Sequence, residues 1–318
     1  MDNLLHIQVE LDAPLEAVLL ALVDPSQLSM WFAEHAYVSP HEDWYDFWGR
    51  STPDNPDREQ GRHPIISLVP YRSLSYGWKV RGADSTVEML VEPRDNRTLL
   101  VIRHSGGEGA EGAGIYGLED WWFLSLENLR RHLAGKRDYV LYDFSAQPDT
   151  ADIRHTIDID APPEKVFEAL IEPKEIERWI ASKATVEPHV GGRYELGWGE
   201  GVGAVKILEL EPGRKLAYSW PEPRESEDAP PANETIVTWE LEGSGGKTRL
   251  TLVHSGFTPG EDIDHLRPGW LNFLSWVKSM SEFGPNWQTP VKLLPEGMAN
   301  YYPATIGARQ AEIYVPVG

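Results

Sequence analysis

The chain of 318 residues contains no cysteine. That excludes disulfides and thiolate metal sites. Base is scarce as well: 29 Lys and Arg stand against 50 Asp and Glu, a formal net charge of −21. Nucleic-acid binding needs a basic surface to neutralise phosphates, and anionic membranes attract basic segments. Neither partner is expected. No apolar run nears the roughly 20 residues of a membrane-spanning helix. Met1-Asp2-Asn3 does not start a secretory leader, so a cytoplasmic location is expected. His-Glu-x-x-His, EF-hand and Cys/His spacings are missing, and the glycine clusters at 106–114 and 243–246 lack the Lys-Ser/Thr of a phosphate loop. No metal and no cofactor are expected.

What the chain does have is the same segment twice. Residues 8–40 and 156–188 align without a gap, with 13 of 33 positions identical. Asp12-Ala13-Pro14, Glu16, Val18, Ala21-Leu22, Pro25 and Trp31 recur as Asp160-Ala161-Pro162, Glu164, Val166, Ala169-Leu170, Pro173 and Trp179. The echo continues in order: Tyr45 with Tyr194, Arg72-x-Leu74-x-Tyr76-x-Trp78 with Arg214-x-Leu216-x-Tyr218-x-Trp220, His104-Ser105-Gly106 with His254-Ser255-Gly256, and Phe123-Leu124-Ser125 with Phe273-Leu274-Ser275. A period near 150 residues is a whole domain rather than a solenoid unit. The expected organisation is a domain at 1–145, a domain at 151–283 and an extended C-terminal tail at 284–318. The tail holds Pro285, Pro290, Pro295, Pro303 and Pro316; it is expected on the surface or across the groove between domains.

The second copy reads more cleanly. Ile153, Ile157 and Ile159 alternate with polar residues, a half-buried strand. Pro162 and Pro163 open a helix whose face carries Val166, Phe167, Leu170 and Ile171; a second helix begins at Pro173. Four or five strand signals follow, at 193–197, 204–210, 216–220, 235–242 and 248–255, with turns at Gly191-Gly192, Pro212-Gly213 and Gly243–Gly246. A last helix spans about Pro268–Glu282, with Trp270, Phe273, Leu274 and Val277 on one side. Strands grouped between helices predict α+β with an antiparallel sheet. In the first copy, residues 50–64 read as a polar, mobile insertion.

The run Ile157-Asp158-Ile159-Asp160-Ala161-Pro162-Pro163-Glu164-Lys165-Val166-Phe167 resembles the opening of the START-like, or SRPBCC, superfamily. Pro173 to Trp179, Gly192-Arg193-Tyr194-Glu195, His254-Ser255-Gly256-Phe257, His265 and Gly269-Trp270 resemble the branch named for homologues of the activator of the heat-shock-protein-90 ATPase, a stress-response family. Residues 5–133 resemble it more weakly. The resemblance implies two tandem helix-grip (START-like, Bet v 1-like) domains, each a curved antiparallel sheet wrapped around a long C-terminal helix, often with an apolar cavity. The superfamily includes ligand carriers, polyketide aromatase/cyclases and co-chaperones, and shares no catalytic residue.

Strand parity turns Leu250, Leu252 and His254 to one face, as it does Leu216, Tyr218 and Trp220. If these faces are concave, the second domain has a pocket lined by Tyr194, Trp198, Tyr218, Trp220, Trp239, His254 and Trp270. Aromatic walls with a few polar tips suit a small-molecule site, and equally a packed core. His254 is either a buried acid/base, with Tyr194 as its nearest companion, or a strand-end histidine holding the Ser255-Gly256 turn. His104, at the same place in copy one, does not separate these. His41 and His189 are read as turn residues, His265 as exposed, and Glu222–Asp228 as a solvated loop. The function expected is binding of a small hydrophobic or aromatic ligand. The alternatives are a cyclase-like enzyme and a co-chaperone-like module with a protein partner.

Overall fold

The computed structural model describes residues 4–107, 118–146, 151–198, 203–221 and 234–293. The chain divides into two units, one of residues 1–147 with 290–296, the other built on 148–289. The first unit runs β1 (Leu4–Leu11), α1 (Leu15–Val23), α2 (Pro25–Trp31), β2 (His35–Ser39), β3 (Trp44–Trp48), β4 (Ile65–Val69), β5 (Ser73–Val80), β6 (Ala83–Arg94), β7 (Arg97–Gly106) and α3 (Glu119–Leu133). The second repeats that order: β8 (Ile153–Ile159), α4 (Pro163–Ile171), α5 (Pro173–Trp179), β9 (Thr185–Val186), β10 (Tyr194–Glu195), β11 (Ile207–Glu211), β12 (Lys215–Pro221), β13 (Glu234–Ser244), β14 (Lys247–Ser255) and α6 (Arg267–Phe283). A three-residue strand, β15 (Val291–Leu293), returns to the first unit. Its sheet has the order β4-β5-β6-β7-β1-β15, and the other sheet β11-β12-β13-β14-β8, all neighbours antiparallel. Each is a meander whose last strand pairs with the first of its unit, with the long helix against the inner face. This is the helix-grip α+β fold. Among the described residues no helix is long and apolar enough to cross a membrane.

The repeated letters are largely hydrogen-bonding instructions. The last carbonyls of a helix have no partner within it. In the first unit the Trp31 indole N–H donates to Ala21 O (3.1 Å) and the Tyr45 hydroxyl to Leu22 O (2.8 Å). In the second, Trp179 donates to Ala169 O (2.8 Å) and Tyr194 to Leu170 O (2.6 Å). The turn before each first helix is held likewise: Thr98 Oγ1 donates to Ala13 O and Thr248 Oγ1 to Ala161 O. Ala-Pro, Ala-Leu, Trp and Tyr therefore recur because together they close the ends of one short helix.

Alternation sets the core. Val237, Trp239, Leu241, Leu250 and Leu252 of β13 and β14 are buried, as are Trp270, Leu274 and Val277 of α6. Three regions show more than the sequence carried. The segment 50–64 is only partly solvated: Asp54, residues 56–60 and Arg62 are exposed, whereas Ser51, Thr52, Asn55 and His63 are buried, and its backbone bonds β3 through Tyr45 N to His63 O and Phe47 N to Gly61 O. The long helices align two residues away from the Phe-Leu-Ser identity. Trp122 meets His104 as Trp270 meets His254, so the equivalent pairs are Trp122/Trp270, Leu126/Leu274 and Leu129/Val277, all buried. A two-residue slip on a helix turns a side chain about 200°, and the ring contacts fix which alignment holds. Finally, part of the tail is regular: β15 pairs with β1 at His6↔Leu293, Ile7↔Lys292 and Gln8↔Val291. There Lys292 Nζ, buried, binds Glu119 at 2.5 Å. The rest of the tail, most of the glycine-rich stretch 106–114 and the acidic run Glu222–Asp228 lie outside the described residues.

Candidate functional site

In the second unit the seven aromatic candidates form one continuous cluster. Tyr194 of β10 stacks on Tyr218 of β12, centroids 4.5 Å apart and planes 13° from parallel. Tyr218 neighbours Trp220 at 6.3 Å, and Trp220 meets Trp198 edge-on at 5.6 Å. From α6, Trp270 lies 5.1 Å from Trp220, 5.2 Å from His254 and 6.4 Å from Trp239. Tyr194, Tyr218, Trp239, His254 and Trp270 are buried; Trp198 and Trp220 are half-buried. The cluster therefore presents two indoles at its solvent end and phenols within. Three polar tips are already committed: Tyr194 to Leu170 O, Trp239 Nε1 to Tyr218 Oη (2.9 Å), and Trp198 Nε1 to Ile180 O (3.1 Å).

His254 has a definite tautomer. Thr235 Oγ1 lies 2.5 Å from Trp220 O and 2.6 Å from His254 Nε2. A carbonyl only accepts, so the single hydroxyl proton goes to Trp220 and the imidazole Nε2–H donates to Thr235. Nδ1 then carries a lone pair. It is buried, and no donor among the described residues reaches it. The first unit provides a comparison. Ser85 Oγ donates to Trp78 O (2.6 Å) and receives His104 Nε2–H (2.9 Å), while Trp122 Nε1 donates to His104 Nδ1 at 3.3 Å. Both imidazole nitrogens are satisfied there. In the second unit Trp270 stands in the place of Trp122, edge-on to the ring at 81°, and makes no such bond.

Burial lowers both imidazoles from their ordinary value to about 3, so both are neutral near pH 7. Burial raises the phenols of Tyr194 and Tyr218, which stay protonated. A group with a pKa near 3 is a weak general base at neutral pH. The Tyr194 hydroxyl, its expected companion, donates a hydrogen bond to Leu170 O. The arrangement can accept a hydrogen bond and stack rings. His41, His189 and His265 are exposed. Thr235, Phe257 (4.4 Å from His254) and Trp179 (6.0 Å from Trp239) belong to the cluster and escaped the sequence reading. Aligning Ser85 with Thr235 across the copies was the available signal for the first. A separate groove of about 610 Å³, between Phe167, Glu164, Arg214 and Glu242, shares no residue with the cluster.

A family model described as activator of Hsp90 ATPase homolog 1-like protein matches residues 12–134 and again 160–281. An uncharacterized protein of Schizosaccharomyces pombe is 25% identical over 118 residues, 37% of this chain and 33% of that protein. The chain thus matches about a third of the length of that curated relative. Among solved structures, DynU16, a putative protein in the dynemicin biosynthetic locus, is 17% identical, with 89% of this chain and 99% of that chain covered and a TM-score of 0.37. The Aha1 dimer from Colwellia psychrerythraea is 23% identical over 43% of this chain and all of that chain, TM-score 0.36.

Proposed function

The chain belongs, in both halves, to the activator of Hsp90 ATPase homolog 1-like family, and from that premise we propose that its second unit binds a small, neutral aromatic molecule carrying one hydrogen-bond donor. The observation that carries this reading is the lone pair of His254 Nδ1. A buried acceptor without a donor costs about 1–3 kcal/mol, and buried polar groups in folded proteins nearly always have partners. The first unit meets the same atom with an indole N–H; the second leaves it facing Trp270, Phe257 and Trp220. A ligand N–H or O–H replaces the donor that Trp122 supplies in the first unit. Half-buried Trp198 and Trp220 offer ring faces to the remainder of the molecule. The depressed imidazole pKa favours binding over catalysis.

Indole and naphthalene test this, being of similar size with and without an N–H. Calorimetric titration is expected to show wild-type protein preferring indole by about tenfold, one hydrogen bond to a buried acceptor. The preference should vanish in His254→Phe. Equal affinity for both probes in the wild type, or no binding of either, would sink the reading.

A further inference from the structure

The two copies share a backbone plan, and their surfaces part along one edge. β4 is the last strand of its sheet, and among the described residues no strand pairs with its outer side. β11 ends the other sheet in the same way. Counting back from Arg72 and Arg214, Ile65-Ile66-Ser67-Leu68-Val69 corresponds to Ile207-Leu208-Glu209-Leu210-Glu211. Both strands are irregular at the same place, Ile65/Ser67 and Ile207/Glu209. The backbones therefore offer the same edge, and the charges differ. A bare strand edge is a template for another chain, and charged side chains are the common block. In β11 that block is present: Glu209 and Glu211 are exposed. β4 carries no charge, and Ile66, Leu68 and Val69 are 58%, 44% and 43% exposed.

The neighbouring helix has changed in the same sense. Counting from Ala21-Leu22 and Ala169-Leu170, exposed Lys165 and Glu168 of α4 are replaced by Ala17 and Leu20 in α1. Leu20 and Val23 are exposed. Leu19, Val23, Leu68, Val69 and Tyr71 stand round a notch of only about 40 Å³. The corresponding place in the second unit is the groove of about 610 Å³ with Glu164, Arg214 and Glu242 on its walls. The notch is far below the few hundred Å³ of a small-molecule pocket. An apolar patch of this kind, without a cavity, suits a protein surface.

We propose that this edge is where two copies of the chain meet: β4 pairs antiparallel with β4 of a second copy about a two-fold axis at Ser67, and the two α1 helices lie on one side of the joined sheet. Three observations select a second copy as the occupant. A net charge of −21 makes copies repel one another, and this strand is a place where they touch without facing like charges. A two-fold contact also requires the residue on the axis to tolerate its own twin. Serine does so; in β11 the same axis would set Glu209 against Glu209. Finally, Leu20, Val23, Ile66, Leu68, Val69 and Tyr71 expose on the order of 500 Å² per copy, and about 1,000 Å² in all is the least that a specific interface buries. The surface lies in the other unit from His254, so its fate is independent of the reading above.

Sedimentation equilibrium of the full chain tests this. Wild type is expected to be a dimer that dissociates on dilution. Ser67→Glu gives β4 the residue that β11 already carries on the same backbone, and should raise the dimer Kd at least tenfold, about the effect of like charges set together. Ser67→Lys should do the same. An equal mixture of the two variants should regain the dimer, which a variant that had merely lost its fold could not do. Two outcomes overturn the proposal. In one, Ser67→Glu and Ser67→Lys each dimerise as the wild type does. In the other, the wild type is a monomer throughout. Hydrogen exchange of β4 then names the other occupant: protected amides in the monomer assign the edge to residues 294–318 of the same chain, and unprotected amides leave it to a different protein.

Discussion

Mild acid should weaken this protein through its buried imidazoles, and the size of the effect follows from the structure. His63, His104 and His254 are each at most 2% exposed, and burial lowers each from 6.5 to about 3. Between those values the unfolded chain binds a proton that the folded chain refuses. Stability is therefore fully present above about pH 6.5 and falls as the pH drops toward 3, by about 1.4 kcal/mol per pH unit for each ring. From pH 7.5 to 5.0 one such histidine removes about 2 kcal/mol. The first unit holds two of the three, together a loss of about 4 kcal/mol where a domain has 5–15 in all, and half-buried His6, lowered to about 4 by burial and then by the Arg103 charge, adds to it. Hydrogen exchange of the β7 amides at the two pH values, corrected for intrinsic rates, reads that loss. In His104→Gln the fall should shrink by about 2 kcal/mol, whatever the variant costs at pH 7.5, because only the difference between pH values counts. An equal fall in wild type and variant would refute the reasoning.

Three further outcomes follow. Tyr71, 70% exposed at φ 59°, stands in the turn where the second unit has Gly213 at φ 73°; Tyr71→Gly should raise first-unit stability by about 0.5–1 kcal/mol in thermal unfolding, since the left-handed region disfavours a Cβ. Lys292→Ala withdraws the ammonium that faces buried Glu119, whose carboxyl burial already pushes upward; urea denaturation should show a loss of about 3 kcal/mol, and the pair Lys292→Met with Glu119→Leu should recover most of it. Thr248→Val removes the donor to Ala161 O, 2.7 Å away, and should cost about 1–2 kcal/mol by the same assay.

Most of the fold was legible because period and punctuation agreed. The expected helix at 268–282 is Arg267–Phe283, and the strands expected at 235–242 and 248–255 are Glu234–Ser244 and Lys247–Ser255. Alternation along β13 and β14 told which residues face inward. Residues 50–64 hid their buried members because Asp, Pro and Arg dominate their composition. What buries Asn55 and His63 is a pair of bonds to Trp78 and the β3 backbone, which no local pattern encodes. The Phe-Leu-Ser identity misled because three letters cannot fix a helix rotation. β15 is too short to alternate. The aromatic cluster could be named from parity, but not its one unmet atom. That depends on Trp122 donating to His104 while Trp270, in the same place, does not donate to His254, a difference of indole orientation that sequence does not carry.

The central claim, a donor-bearing aromatic ligand held at His254, is tested most directly by native mass spectrometry of freshly purified protein, wild type beside His254→Phe, followed by denaturing extraction. The account predicts a small neutral adduct on the wild type, released on unfolding and aromatic by its absorbance, and depleted in the variant. Bare wild-type protein that also fails to take up indole would contradict it and leave the cluster a packed core.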